Sequence, residues 1–217
     1  MNAKELREMI AGGESTTVEF KRKAKSPEKL AKEFAAFANT KGGYLMIGVD
    51  DDGAIVGVPS EKYEMDIIEQ ACYFYIDPPI TPEIEIMTVA GKDVVVVRIE
   101  QSSQKPHKLV IETSEDPQAS TRVYIRLGEK SVIASREMTR LMRYLNPGND
   151  EPLRLSIGEK EKRLFAFLEK NERATVKDFA KLVNISNRQS ERLLIRLVRA
   201  GALQIVTDGS HDYFILI

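Results

Sequence analysis

Residues 14–57 read ESTTVEFKRKAKSPEKLAKEFAAFANTKGGYLMIGVDDDGAIVG, and they leave the chain little freedom in how it folds. Val18 and Phe20 alternate with Glu19 and Lys21, as expected of a half-buried strand. A basic run of Lys21, Arg22, Lys23 and Lys25 follows. Ser26-Pro27 then opens a helix as N-cap and first-turn proline. Its apolar stripe is Leu30, Phe34, Phe37 and Ala38, and it stops at Asn39-Thr40-Lys41-Gly42-Gly43. An apolar strand over residues 44–49 reaches the turn Asp50-Asp51-Asp52-Gly53, with a returning strand expected over 54–58. Strand, helix and hairpin in so short a span make an α/β module whose ends crowd cations and carboxylates together.

The chain around it adds more of the same texture. A short helix is expected at 3–11, with Leu6 and Ile10 inward, and another at 61–76, with Tyr63, Ile67, Ile68, Ala71 and Tyr75 inward. Strands follow at 83–89 and 92–100, the second holding four consecutive valines that suit burial on both faces. A polar loop (101–106), a strand (108–111), an aperiodic loop (113–120), a strand (123–127) and a helix (135–145, with Met138, Leu141 and Leu145 inward) complete this part. Helices and hairpins interleaved in this way predict α+β architecture around one mixed sheet. The linker is Asn146 with residues 147–152. The pattern predicts one domain over 1–147 and a second over 153–217.

The second domain has a different grain. Ser156-x-x-Glu159, Thr175-x-x-Asp178 and Ser186-x-x-Gln189 read as capping boxes opening three helices, ending near Asn171, Val183 and Ala200. Strands at 203–206 and 213–217 flank an acidic turn. Three helices and a terminal hairpin resemble a winged helix-turn-helix, with Val183-Asn184-Ile185-Ser186 as the turn.

Several ordered blocks also resemble a known family. GESTTVEFK, the helix end AFANTKGG and the strand-turn-strand YLMIGVDDDGAIVG are similar to the Schlafen-type Alba-like domain, as are the later KPHKL and VYIRLGEKSVIAS. The likeness covers roughly residues 5–145. Gly128-Glu129-Lys130-Ser131 stands where the resemblance implies small hydroxyl or amide residues after the glycine. Bacterial members are described as DNA-binding domains or transcriptional regulators, so the resemblance implies nucleic-acid binding. It also implies a second possibility, because eukaryotic relatives form a metal-dependent ribonuclease site from acids at corresponding positions. Here those positions are Glu14, Glu19 and Asp50, with Asp51 or Asp52 as the other candidates for the third. Glu19 and Lys21 stand side by side on one face of the strand, a pairing that suits a divalent ion, Mg²⁺ or Mn²⁺, and a phosphate-polarising cation.

Charge separates the two parts. Residues 1–150 carry 20 Lys+Arg against 24 Asp+Glu, and residues 151–217 carry 12 against 9, so a basic piece follows an acidic body. The one cysteine, Cys72, excludes an intramolecular disulfide and sits in an apolar helical stretch as a core residue. With no long apolar run and no signal-peptide core, a cytoplasmic protein without membrane contact is expected. Gly42-Gly43 lacks a following Gly-Lys-Ser/Thr and reads as a helix end, not a phosphate loop. His107 and His211 have no metal-ligand spacing.

The third helix of the C-terminal domain carries Asn187, Arg188, Gln189 and Arg192 where base edges would be met, and Arg196 and Arg199 where phosphates would be. Lys21, Arg22, Lys23 and Lys25 suit phosphate contacts without sequence readout. The reading is therefore a transcriptional regulator with no chemistry or cofactor of its own, binding double-stranded DNA as a homodimer, with RNA as a further possible partner. The alternatives are the divalent-metal nuclease of tRNA, other RNA or DNA, and a ligand- or protein-binding module that touches no nucleic acid.

Overall fold

The computed structural model describes residues 1–110, 121–146, 156–209 and 211–217. The loop expected at 113–120 and the linker residues 147–152 lie outside them. The chain divides into two compact units, Met1–Ala134 and Ser135–Ile217.

The first unit runs α1 (Ala3–Ala11), β1 (Val18–Lys21), α2 (Pro27–Asn39), β2 (Gly43–Ile47), α3 (Glu61–Phe74), β3 (Ile76–Asp77), β4 (Glu83–Val89), β5 (Lys92–Ile99), β6 (Lys108–Val110), β7 (Thr121–Leu127) and β8 (Lys130–Ile133). It is α+β, with two four-stranded sheets in place of the single sheet expected. One has the order β1-β2-β5-β4, parallel between β1 and β2 and antiparallel elsewhere; the other is the antiparallel β3-β6-β7-β8. The second sheet was hidden because two of its strands are only two and three residues long, too short to show a period.

Helix α2 lies at the centre of this unit. Ser26 caps it through Lys29 N–H, and every residue from Phe34 to Asn39 is buried. Its expected stripe is only half of what it buries. Ala31, Ala35 and Ala36 are also inside, because small side chains let both sheets and α3 approach it closely. Val95 and Val97 of β5 face this core, whereas Val94 and Val96 face a second one with Phe20, Met46 and Leu6 of α1, so the valine run is buried on both faces as expected.

Two further expectations fail locally. Residues 54–58 form no strand beyond one bridge, Ile55 to Val49. Instead, Val56 and Gly57 N–H both donate to Gly48 O, with Gly48 and Gly57 at positive φ, which folds the segment back as a tight turn. On α3, Tyr63 is 57 % exposed and the buried side chain at that end is Glu64. Cys72 is buried, and desolvation pushes its thiol up to about 12.

The second unit holds α4 (Arg136–Tyr144), α5 (Glu159–Asn171), α6 (Val176–Val183), α7 (Asn187–Arg199), β9 (Leu203–Thr207) and β10 (Asp212–Leu216). Leu164, Leu168, Phe179, Leu194, Leu197, Leu203 and Phe214 form its core. The expected caps of α6 and α7 are present. That of α5 is displaced: Gly158 is the N-cap and the Glu161 carboxylate accepts its N–H, so the Ser156/Glu159 box does not form. Leu145, expected inward on α4, is 62 % exposed, and Met142 is buried in the same turn. Asn184 takes the left-handed conformation that ends α6, and Ile185 N–H closes the turn on Ala180 O. Backbone bonds between Ala174 and Phe214 tie the terminal hairpin to the start of α6. Among the described residues no helix is long and apolar enough to cross a membrane.

Candidate functional site

In the first unit the candidate groups gather at β1. Glu19 is almost buried, with one carboxylate oxygen on Lys21 Nζ and the other 3.0 Å from Arg126 Nη1. Arg126 comes from β7 with its side chain wholly out of solvent. The same Nη1 lies 3.0 Å from Glu33 of α2, Nη2 donates to Ser15 O (2.8 Å), and the guanidinium rests 4.8 Å above the Phe37 ring. Ser131 of β8 donates its hydroxyl to Glu33. Within this cluster Arg126 Nε has no hydrogen-bond partner among the described residues. Two carboxylates facing two cations balance the charge of the cluster, as a buried ion-pair network requires.

The other acids of the sequence reading have different partners. Glu14 accepts the Phe20 N–H (2.8 Å). Burial raises its pKa, the Phe20 bond opposes that, and Glu19's charge adds to it. Asp50 pairs with Arg22 at 2.7 Å. Among the described residues no group of three or more His, Cys, Asp or Glu is placed to hold a metal. Glu14, Glu19 and Asp50 are thus not gathered into one three-ligand group for Mg²⁺ or Mn²⁺ among the described residues. Their oxygens answer a backbone N–H, two cations and an arginine, respectively. No hydrolytic step follows from this geometry.

The basic run is built around a pinned residue. Ala24 is buried and its N–H donates to the Glu64 carboxylate (2.8 Å), whose pKa burial raises against that bond. Arg22, Lys23 and Lys25 are exposed on either side, while Lys21 turns back to Glu19. Three of the four cations therefore face solvent.

The blocks that carried the family resemblance do structural work that sequence reading missed. Asn39, at the end of α2, donates through Nδ2 to His107 O (2.8 Å) and Tyr124 O (2.9 Å), and its Oδ1 accepts His107 N–H (2.8 Å). Thr40 Oγ1 accepts Arg126 N–H (2.9 Å), and Lys105 Nζ donates to Thr40 O (3.0 Å). One amide and one hydroxyl thus join α2 to β6 and β7. A polar residue ending an otherwise apolar helix was the signal available for Asn39. Glu33, Glu64 and Arg126 gave none, because nothing local distinguishes a buried charge from an exposed one.

In the second unit, Asn187, Arg188, Gln189 and Arg192 are exposed and Arg196 and Arg199 are half-buried. Gln189 Oε1 is occupied by the cap, accepting from Ser186 N–H, and Arg199 lies 5.1 Å over the Tyr144 ring. Arg188 and Arg192 remain the principal outward cations of the first half of α7. The acids of the hairpin turn are partnered within the unit: Asp208 accepts His211 N–H (2.8 Å), and Asp212 accepts the Ser135 hydroxyl.

Two solved structures are similar to part of this chain. The DIP2311 protein of Corynebacterium diphtheriae is 22 % identical over 66 % of this chain, with a TM-score of 0.45, and this chain spans 31 % of its length. The N-terminal domain of a RecG-related protein of Nitrosomonas europaea is 22 % identical over 63 % of this chain and 93 % of its own length, with a TM-score of 0.41. The Schlafen, AlbA_2 family model matches residues 14–135, more than half of the sequence. That span takes in β1, the Glu19–Arg126 cluster, the Asn39 clamp and both sheets, and the chain belongs to the Schlafen, AlbA_2 family.

Proposed function

We propose that this protein is a double-stranded-DNA-binding transcriptional regulator whose second unit acts as a winged helix-turn-helix. The observation that carries this reading is α7. It is capped by Ser186 after a left-handed turn at Asn184, and it presents Asn187, Arg188 and Arg192 to solvent from its first half, the part of a recognition helix that meets base edges. The half-buried Arg196 follows at a position suited to a phosphate. A single helix of this size covers few base pairs, so a homodimer on paired half-sites is part of the proposal. The first unit, with Arg22, Lys23 and Lys25 outward, adds phosphate contacts, dimerises or senses a signal. The three-helix and hairpin layout of the second unit resembles a winged helix-turn-helix, and the family match covers the first unit; both support the reading.

The test is selection from a randomised duplex library by the full chain, followed by sequencing. Wild-type protein enriches a motif. The double variant Arg188→Ala/Arg192→Ala loses it, with affinity for the selected duplex falling by about tenfold or more. If the double variant enriches the same motif, α7 is not the reading element.

A further inference from the structure

Beyond its own caps, α7 is held by a helix that the sequence places outside the winged-helix segment. Arg140 of α4 meets Glu191 of α7 at 2.7 Å, with Glu191 only 4 % exposed. This is a charge contact, not an aligned hydrogen bond, since Arg140 Nη1 and Glu191 Oε1 lack well-oriented hydrogen-bond partners. Farther along, Arg199 stacks on Tyr144. At the start of α4, Ser135 caps the helix through Met138 N–H and also donates its hydroxyl to Asp212 of β10. Helix α4 is therefore bonded both to α7 and to the hairpin.

The positions on α7 have a simple geometry. Arg188, Arg192 and Arg196 recur every four residues and form one stripe. Glu191, Ile195 and Arg199 recur in the same way and form the stripe beside it. Ile195 is 2 % exposed although it lies off the Leu194–Leu197 core face, which shows how closely this second stripe is covered. A buried ion pair stabilises poorly compared with an apolar pair of the same shape, but it favours one register over its neighbours. A reading helix must be held to about 0.5 Å and about 10–20° by its supporting residues.

We infer that Arg140 and Glu191 are positioning residues for DNA readout: through them α4 fixes the angle of α7, and so of Arg188 and Arg192, against the hairpin. The inference rests on the DNA-binding reading above. It makes α4 part of the reading unit, so sequence preference depends on residues that touch no base.

The experiment uses the full chain and the same randomised duplex library, with thermal unfolding recorded for each variant. Arg140→Glu and Glu191→Arg each lower the ratio of selected-duplex to bulk-duplex affinity by about tenfold, with bulk-duplex affinity retained, and the exchanged pair Arg140→Glu/Glu191→Arg restores it. A purely structural role would instead lower both affinities together, in step with the unfolded fraction. If either reversal fails to fold, Tyr144→Ala, which removes only the stacking partner of Arg199, reads the same ratio and is expected to lower it. Wild-type motif preference in the folded single variants, or no recovery in the exchanged pair, overturns the inference and leaves the DNA-binding reading standing. Wild-type protein that retains no duplex removes that reading, and the positioning role falls with it.

Discussion

Arg126 carries a full positive charge into the interior, and its energy depends on the two carboxylates that meet it. Removing the cation leaves Glu19 with Lys21 and Glu33 with the Ser131 hydroxyl and Lys32 (3.8 Å), so two largely buried carboxylates each lose their buried counter-charge. Arg126→Leu should therefore cost about 3–5 kcal/mol. Urea denaturation of the two proteins measures this directly, and a loss below about 1 kcal/mol would mean that the carboxylates reach solvent in the variant. His107 makes the opposite electrostatic argument. Burial holds its imidazole below the ordinary histidine range, the contact of Nδ1 with Pro78 O (2.6 Å) works against that, and the charge of Lys105 adds to the lowering. The folded state then binds fewer protons than the unfolded chain, so stability falls as pH drops below about 6.5. Glu14 and Glu64 work with the other sign. Their folded pKa values are raised, so their contribution is present at low pH and is lost as pH rises through those values. Comparing urea midpoints for wild type and His107→Gln at about pH 7.5 and about pH 5.5 isolates the histidine. The variant should lose less stability on the acid side, and equal losses would show that His107 titrates freely in the fold.

At the scale of elements, the end of α2 and the start of β2 depend on two glycines. Gly42 holds φ +73° and a Cβ there would stand 2.7 Å from Ile99 O, while a Cβ on Gly43 would stand 2.5 Å from the Phe37 ring and 2.7 Å from Thr17 O. Gly43→Ala must push the strand off the helix, and a loss of about 2–3 kcal/mol is expected in the same denaturation assay. An unchanged midpoint would mean that Phe37 has room to turn away. This junction also marks what could be read in advance and what could not. The helix start at Ser26-Pro27, the caps at Thr175 and Ser186 and the doubly buried valines follow from local chemistry, and they were legible. The second sheet was not, since β3 and β6 are too short to alternate, and alanines on α2 carry no signal of what packs on them. At the candidate site, the exposed cations of α7 were legible from helical spacing. The partners of Glu19 were not, because Arg126 lies 107 residues away in sequence and only the fold brings the two together.

At the scale of the whole molecule, the open question is whether the first unit touches the nucleic acid that the second is proposed to read. Its net charge is acidic, so attraction to a duplex would have to come from a local patch, and Arg22, Lys23 and Lys25 around the pinned Ala24 are that patch. Salt dependence tests this without knowing the operator. Each phosphate neutralised by the protein adds about 0.9 to the magnitude of the slope of log Kobs against log salt. If Lys23 and Lys25 each meet a phosphate, Lys23→Ala/Lys25→Ala lowers that magnitude by about 2, and affinity falls nearly equally for every sequence. The enriched motif stays the same, since no base contact has been removed. Arg192→Ala should do the reverse, eroding the motif while moving the slope by at most about 1. A double lysine variant with the wild-type slope would take the first unit off the DNA, leaving it dimerisation or the sensing of a signal.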